Sequence, residues 1–254
     1  MNGRTLTFRL AGINNQNFVM RDDQTGSWWQ QVSGLAISGP LVGQRLTLVP
    51  HDELTFATWK AEQPHGRVLN QDADALKRDD YAEPDWEEHV GRYPVHVAVA
   101  PGGPLEPRTT VVGVTRGGKS KAWPQASVMS AGATIDQVGD VPLALVVAPD
   151  GRSIRVFDRR VNGQTLTFVR AGTAITTSAL LDLETMSEWD FEGRARAGAL
   201  AGAQLKTVDY LLDYWFDWKT YHPDTAVVKP WEPPVKKRQM PEIPRPDGTP
   251  APKK

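Results

Sequence analysis

NGRTLTFRLAG at residues 2–12 returns as NGQTLTFVRAG at residues 162–172. The spacing of 160 holds through Asp22 and Asp182, Thr25 and Thr185, Ser27 and Ser187, and Trp29 and Trp189. One residue is then lost, and GLAISGPLVGQRL (34–46) matches GRARAGALAGAQL (193–205), while ATWKAEQPHGRVL (57–69) matches FDWKTYHPDTAVV (216–228). A block of roughly 70 residues is therefore present twice, and the fold follows from one unit used two times.

The second copy is preceded by a strand-rich stretch, residues 95–161, that has no counterpart before the first. VHVAVA (95–100) alternates, TTVVGV (109–114) is β-branched, and VPLALVVA (141–148) is a continuous apolar run of the kind buried on both faces of a sheet. GGKSK (117–121) reads as a hairpin turn after TTVVGV, and Asn162-Gly163 is a strong hairpin signal that should pair 153–160 with 164–169. In the first copy the equivalent turn is Met1-Asn2-Gly3, so the strand RTLTFRL (4–10) lacks that upstream partner. Because bare strand edges invite pairing, this predicts an N-terminally truncated first unit and a homodimer through the exposed edge of residues 4–10.

Each copy closes on one helix. DELTFATWKAEQ (52–63) begins with acidic capping residues and stops at Pro64; Asp209 precedes YLLDYWFDWKTYH, which stops at Pro223. On the second helix Leu211, Trp215 and Trp218 share a stripe, with Leu212 and Phe216 beside it, a pattern that belongs to a core. The chain thus divides into an incomplete first unit (1–70), a polar linker (71–94), a complete second unit (95–228) and a tail (229–254). That tail holds eight prolines and seven Lys or Arg, and is expected to be extended and disordered. The fold class is α+β and β-rich: two related sheet units, each closed by a short C-terminal helix.

Composition narrows the function classes. The formal net charge of -1 provides no field for nucleic acid or an anionic membrane. No stretch reaches the roughly 20 apolar residues of a membrane span, and the N-terminus shows no signal-peptide core. With no cysteine among the 254 residues, disulfides, thiolate metal sites and cysteine nucleophiles are excluded from the chain. The five histidines, His51, His65, His89, His96 and His222, form no metal-binding pair, and Asp52 and Glu53 beside His51 read as helix-capping residues. GGKSK is no phosphate loop, and neither GxSxG nor HExxH occurs, so neither a catalytic residue, a metal nor a cofactor is expected.

The repeat makes the doublet Trp28-Trp29 readable. Trp29 is matched by Trp189, but Trp28 is matched by Glu188. Neighbouring strand side chains face opposite ways, which puts Trp29 in the core and leaves Trp28 either as a ring for a ligand or as cover for the missing half of its unit. Trp59 and Trp218, each followed by lysine, read as packing. Asp22 with Thr25 and Asp182 with Thr185 suit a turn held by side-chain hydrogen bonds. The candidate ligand-binding residues are Trp28, Asp22 and Gln30, and a carbohydrate-active site near Trp28 is the weaker alternative they offer.

DDQTGSWWQQVSGLAISGPLVGQRL, TWKAEQPHGRVL, VVGVTRGGKSKAWP and FDWKTYHPDTAVV together resemble a bacterial family known as domain of unknown function 3179. The resemblance covers nearly all of residues 2–228. It implies export to the periplasm or beyond, and a Cys-Pro-x-Cys-like motif ahead of the first copy. In the second copy that place is Ala148-Pro149-Asp150-Gly151, without a thiol, so no catalytic residue of the family maps onto this chain. The expected function is an exported, non-catalytic binding or scaffold protein with an unknown ligand or protein partner; the alternative is the inactive portion of a thiol-dependent redox or metal-handling protein.

Overall fold

The computed structural model describes residues 3–78, 83, 85–97, 103–170 and 180–228; the proline-rich tail lies outside them. The fold is β-rich α+β. In the first unit β1 (Phe8–Asn14), β2 (Asn17–Asp22), β3 (Trp28–Gln30) and β4 (Ala36–Ser38) make an antiparallel meander in that order. A bulge at Ala11 shifts the β1–β2 register, so Leu10 opposes Met20 and Ile13 opposes Phe18. The extra residue returns Ile13 to the side of the sheet that carries Phe8 and Leu10. Helix α1 (Phe56–Glu62) follows. Its cap is Thr55, whose hydroxyl accepts from Thr58 N, and not the acidic pair Asp52 and Glu53 that the sequence suggested. The polar 71–94 segment contains two short helices, α2 (Ala73–Lys77) and α3 (Trp86–Val90). The strand expected at 95–100 is absent over 95–97, and its remainder lies outside the described residues.

The second unit opens with β5 (Thr110–Arg116) and β6 (Lys119–Pro124), joined across Gly117-Gly118 as predicted. Then come α4 (Gln125–Ala131), β7 (Ala133–Val138), β8 (Val141–Val147) and β9 (Ile154–Asp158). β8 lies between β7 and β9 and is buried on both faces: Leu143, Leu145 and Val147 point into one core cluster, Ala144 and Val146 into another. Asn162 and Gly163 have φ of 50° and 80° and join β10 (Arg160–Val161) to β11 (Gln164–Thr165). These are the left-handed conformations that a tight primed turn demands. The meander then recurs as β12 (Phe168–Arg170), β13 (Leu180–Asp182), β14 (Glu188–Trp189) and β15 (Ala195–Ala197).

β16 (Lys206–Thr207) pairs with β9, so β9 has ladder partners on both sides and the hairpin at Asn162-Gly163 closes only two residue pairs. This replaces the longer pairing of 153–160 with 164–169. β1 and β12 both end their sheets, so an open edge at this place is common to the two units. The helix expected after Asp209 is shorter than its pattern: residues 211–214 form β17 (Leu211–Tyr214), paired antiparallel with β5, and α5 (Trp215–Tyr221) starts only afterwards. Asp209 pairs with Arg116 at 3.2 Å instead of capping. β18 (Ala226–Val227) completes the sheet alongside β6.

Four layers result. Trp215 and Trp218 of α5 pack on Val111 and Ala122; Val112 and Val114 on the other side of that sheet meet Leu143 and Leu145; Ala144 and Val146 meet Phe168, Leu180 and Trp189. Gly113 is required where the first two layers touch, since a Cβ there would lie 2.3 Å from the Trp218 ring.

Candidate functional site at the seam of the two units

Asp22, one of the sequence candidates, is fully buried. Its carboxylate accepts from Trp29 Nε1 at 2.8 Å, Thr25 N at 2.6 Å and Thr25 Oγ1 at 2.8 Å. Burial opposes its ionisation, but those donors outweigh it and hold the carboxyl below its ordinary pKa. Asp182 repeats the bracket with Thr185 and with Trp189 Nε1 at 2.9 Å. Edge-on contacts recur as well: Phe8 to Trp29 at 5.9 Å and Phe168 to Trp189 at 5.7 Å between ring centroids. Asp22 is thus a member of a structural bracket built twice. Trp28 lies on the opposite side of the sheet, 40% exposed, beside Gly12 and sharing its side with Gln30. Gln30 Oε1 accepts from Ser33 Oγ at 2.5 Å. The pleat brings Trp28 and Gln30 together and keeps Asp22 away from both.

The two units meet through their helices. α1 of the first unit sits on the turn between β8 and β9, the Ala148–Gly151 stretch. There Asp150 Oδ2 accepts from Thr55 Oγ1 and Thr58 Oγ1, each at 2.7 Å, and from Ser153 Oγ at 2.6 Å. Burial raises Asp150, but the Ser153 and Arg152 donors prevail and leave its pKa well below the usual carboxylate range. Deeper in the contact the Arg155 guanidinium makes a bidentate pair with Glu62, both bonds 2.7 Å, and donates to Asp52 at 2.8 Å. Phe191 lies against the same guanidinium, 4.6 Å from ring centroid to Cζ. Planar, fully used donors of this kind fix geometry as well as charge.

α5 of the second unit faces the first sheet with a different chemistry. Asn17 on β2 donates its Nδ2 to Asp217 Oδ2. Asp213 at the end of β17 accepts from Tyr214 N at 2.7 Å. The two remaining oxygens, Asp213 Oδ2 and Asp217 Oδ1, are buried without a hydrogen-bond donor. Burial first, and the charge of Asp217 second, push the Asp213 carboxyl up to about 8; burial raises Asp217 as well. At neutral pH the two carboxyls share a proton, since like charges held this close resist ionising together. Glu53, raised by burial, and Tyr221 complete the ionisable groups near the pair. Sequence reading passed over Asp213 and Asp217. Their signal was two aspartates four apart inside an aromatic, core-type run.

Beside this contact lies a cleft of about 670 Å³ with walls from both units: Ser33, Arg45 and Val49 from the first, Arg116, Trp218 and His222 from the second. His222 stacks on Trp218 with centroids 3.7 Å apart, and burial lowers its pKa, so the ring is neutral at pH 7. His51 stacks on Tyr210 at 6.4 Å. Among the described residues no group of three His, Cys, Asp or Glu could hold a metal ion, and no helix is long and apolar enough to cross a membrane.

No curated protein and no solved structure matches the chain. Residues 1–225, which include both units, the seam and the cleft, match the family described as "Protein of unknown function (DUF3179)", and the chain belongs to that family.

Proposed function

We propose that this chain is a non-catalytic binding protein, exported as its resemblance implies, whose ligand occupies the cleft between the two units. One observation carries the reading: the cleft is walled half by each unit, with a neutral imidazole stacked on indole and two guanidinium groups at its sides. Mainly apolar concavities with a few placed polar groups are where small ligands bind. The ligand class that suits it has an apolar ring or chain and an anionic end for Arg45, since Arg116 is paired with Asp209. Leu48 and Val49 line the cleft from an exposed loop, so enlarging them fills it without disturbing the core. A ligand-observed NMR screen of small aromatic and aliphatic carboxylates against the chain and against Val49→Trp tests this. Hits that disappear in Val49→Trp support the reading; an absence of hits, or hits retained by the variant, overturns it.

A second reading, stacking of a sugar on Trp28, is supported by the exposure of that ring beside Gln30. Asp22 cannot take part, because its oxygens are buried and occupied. Trp28→Ala abolishing retention on a polysaccharide column would favour this reading over the cleft.

A further inference from the structure

The first sheet has one side turned toward the seam, through Asn17, and another that carries Phe8, Leu10, Ile13, Phe18 and Met20. At the outer end of that second side Leu10 is 66%, Ile13 71% and Phe18 49% exposed. These are adjacent by register, Leu10 opposite Met20 and Ile13 opposite Phe18, so they form one continuous apolar surface. Among the described strand residues that pair on this side, the ionisable group is Asp22, which is buried and satisfied. In the second unit the same side of the sheet is covered. Phe168 and Leu180, the mates of Phe8 and Met20, are buried against Ala144 and Val146 of the next sheet. The mate of Leu10 is Arg170, whose guanidinium occupies the space above Gly132 so closely that a Cβ there would meet it at 2.9 Å. The unit is therefore built to have a sheet stacked on this side, and in the first unit the outer half of that side faces water.

We propose that this side of the first sheet is a self-association surface, on which the same surface of a second copy stacks about a two-fold axis. A surface with no free charge is complementary to itself, because stacking two copies strands no ion. Antiparallel sheets pack face to face at roughly 10 Å through interdigitated side chains of this kind. Pairing of β1 edges, the arrangement expected from the sequence, would leave Ile13 and Phe18 in water; face stacking covers them. Strands of these lengths present roughly 400 Å² of face, about half of the ~800 Å² per partner of a standard interface. An interface of that size is weak, so the dimer is expected to form between micromolar and millimolar concentration.

Sedimentation equilibrium on the full chain reads this directly: dimer grows with concentration in that range, and Ile13→Glu and Phe18→Glu each reduce it at least tenfold. A chain that stays monomeric to millimolar concentration, or a dimer that both variants retain, overturns the proposal. Both positions are exposed, and unchanged melting of the variants confirms that folding is not what was lost. The absence of cysteine in the chain provides a second measurement. Ile13→Cys should be cross-linked between copies by a short bismaleimide, whereas Arg9→Cys, on the opposite side of the same strand, should not. Equal cross-linking at both positions would identify edge pairing and overturn face stacking.

Discussion

The two helices at the seam do the same job with opposite chemistry. α1 reaches the second unit through Arg155, every one of whose contacts to Glu62 and Asp52 is a charge-assisted hydrogen bond. α5 reaches the first unit through Asp217, which accepts from Asn17 and lies beside Asp213, whose carboxyl is pushed up to about 8 by burial and by the Asp217 charge. Docking through complete donor–acceptor matching is insensitive to pH over the neutral range. A contact flanked by a carboxyl that titrates near 8 is not. The repeated indole–carboxylate brackets show a similar divergence: Trp29 and Trp189 have the same partners, but Trp189 lies within a complete layer, whereas the neighbours of Trp29, namely Phe8 and Met20, are only half-buried.

That contrast is most severely tested by removing the indoles. Trp189→Ala should cost about 4 kcal/mol, and Trp29→Ala about 2 kcal/mol, because a cavity costs less where its lining can relax. Denaturant midpoints measure both, and equal losses would mean that the first sheet is as tightly packed as the second. Between these two lies Arg155→Met, expected to cost about 3 kcal/mol by leaving two partly buried carboxylates without their cation. Hydrogen exchange over residues 56–62 should then quicken ahead of the rest of the chain; uniform quickening would show that α1 is held by something else.

The last effect has a sign that depends on pH. The Asp213 pKa is raised from 3.8 to about 8 on folding. Between those values the native chain binds more protons than the unfolded one, so this group's contribution to stability is full below pH 3.8, falls as pH rises toward 8 and is constant above it. Asp213→Asn removes that slope and should be the more stable form at alkaline pH. Melting curves across the range that run parallel for the two proteins would exclude the shared proton.

Much of the architecture was written locally. Asn162-Gly163 and Gly117-Gly118 specify their turns by backbone conformation alone, Asp22 and Thr25 by side-chain bonds three residues apart, and β8 by an unbroken apolar run. The repeat exposed Trp29 as core and Trp28 as the exception. What stayed hidden depends on distant partners. LLDY reads as helix by its own periodicity and becomes strand because β5 offers a free ladder. Asp52 looked like a cap because the guanidinium that claims it is about 100 residues away. The cleft and the carboxyl pair arise only where the two units are brought together, and no residue pattern within either unit encodes that meeting.

Glu62 waits for Arg155, which follows it by 93 positions. At a synthesis rate of about 5–20 residues per second, the first helix leaves the ribosome roughly 5–20 s before its docking turn exists. α1 therefore cannot dock until the second unit has been made, and a chaperone would meet the chain at the surface formed by Leu10, Ile13 and Phe18.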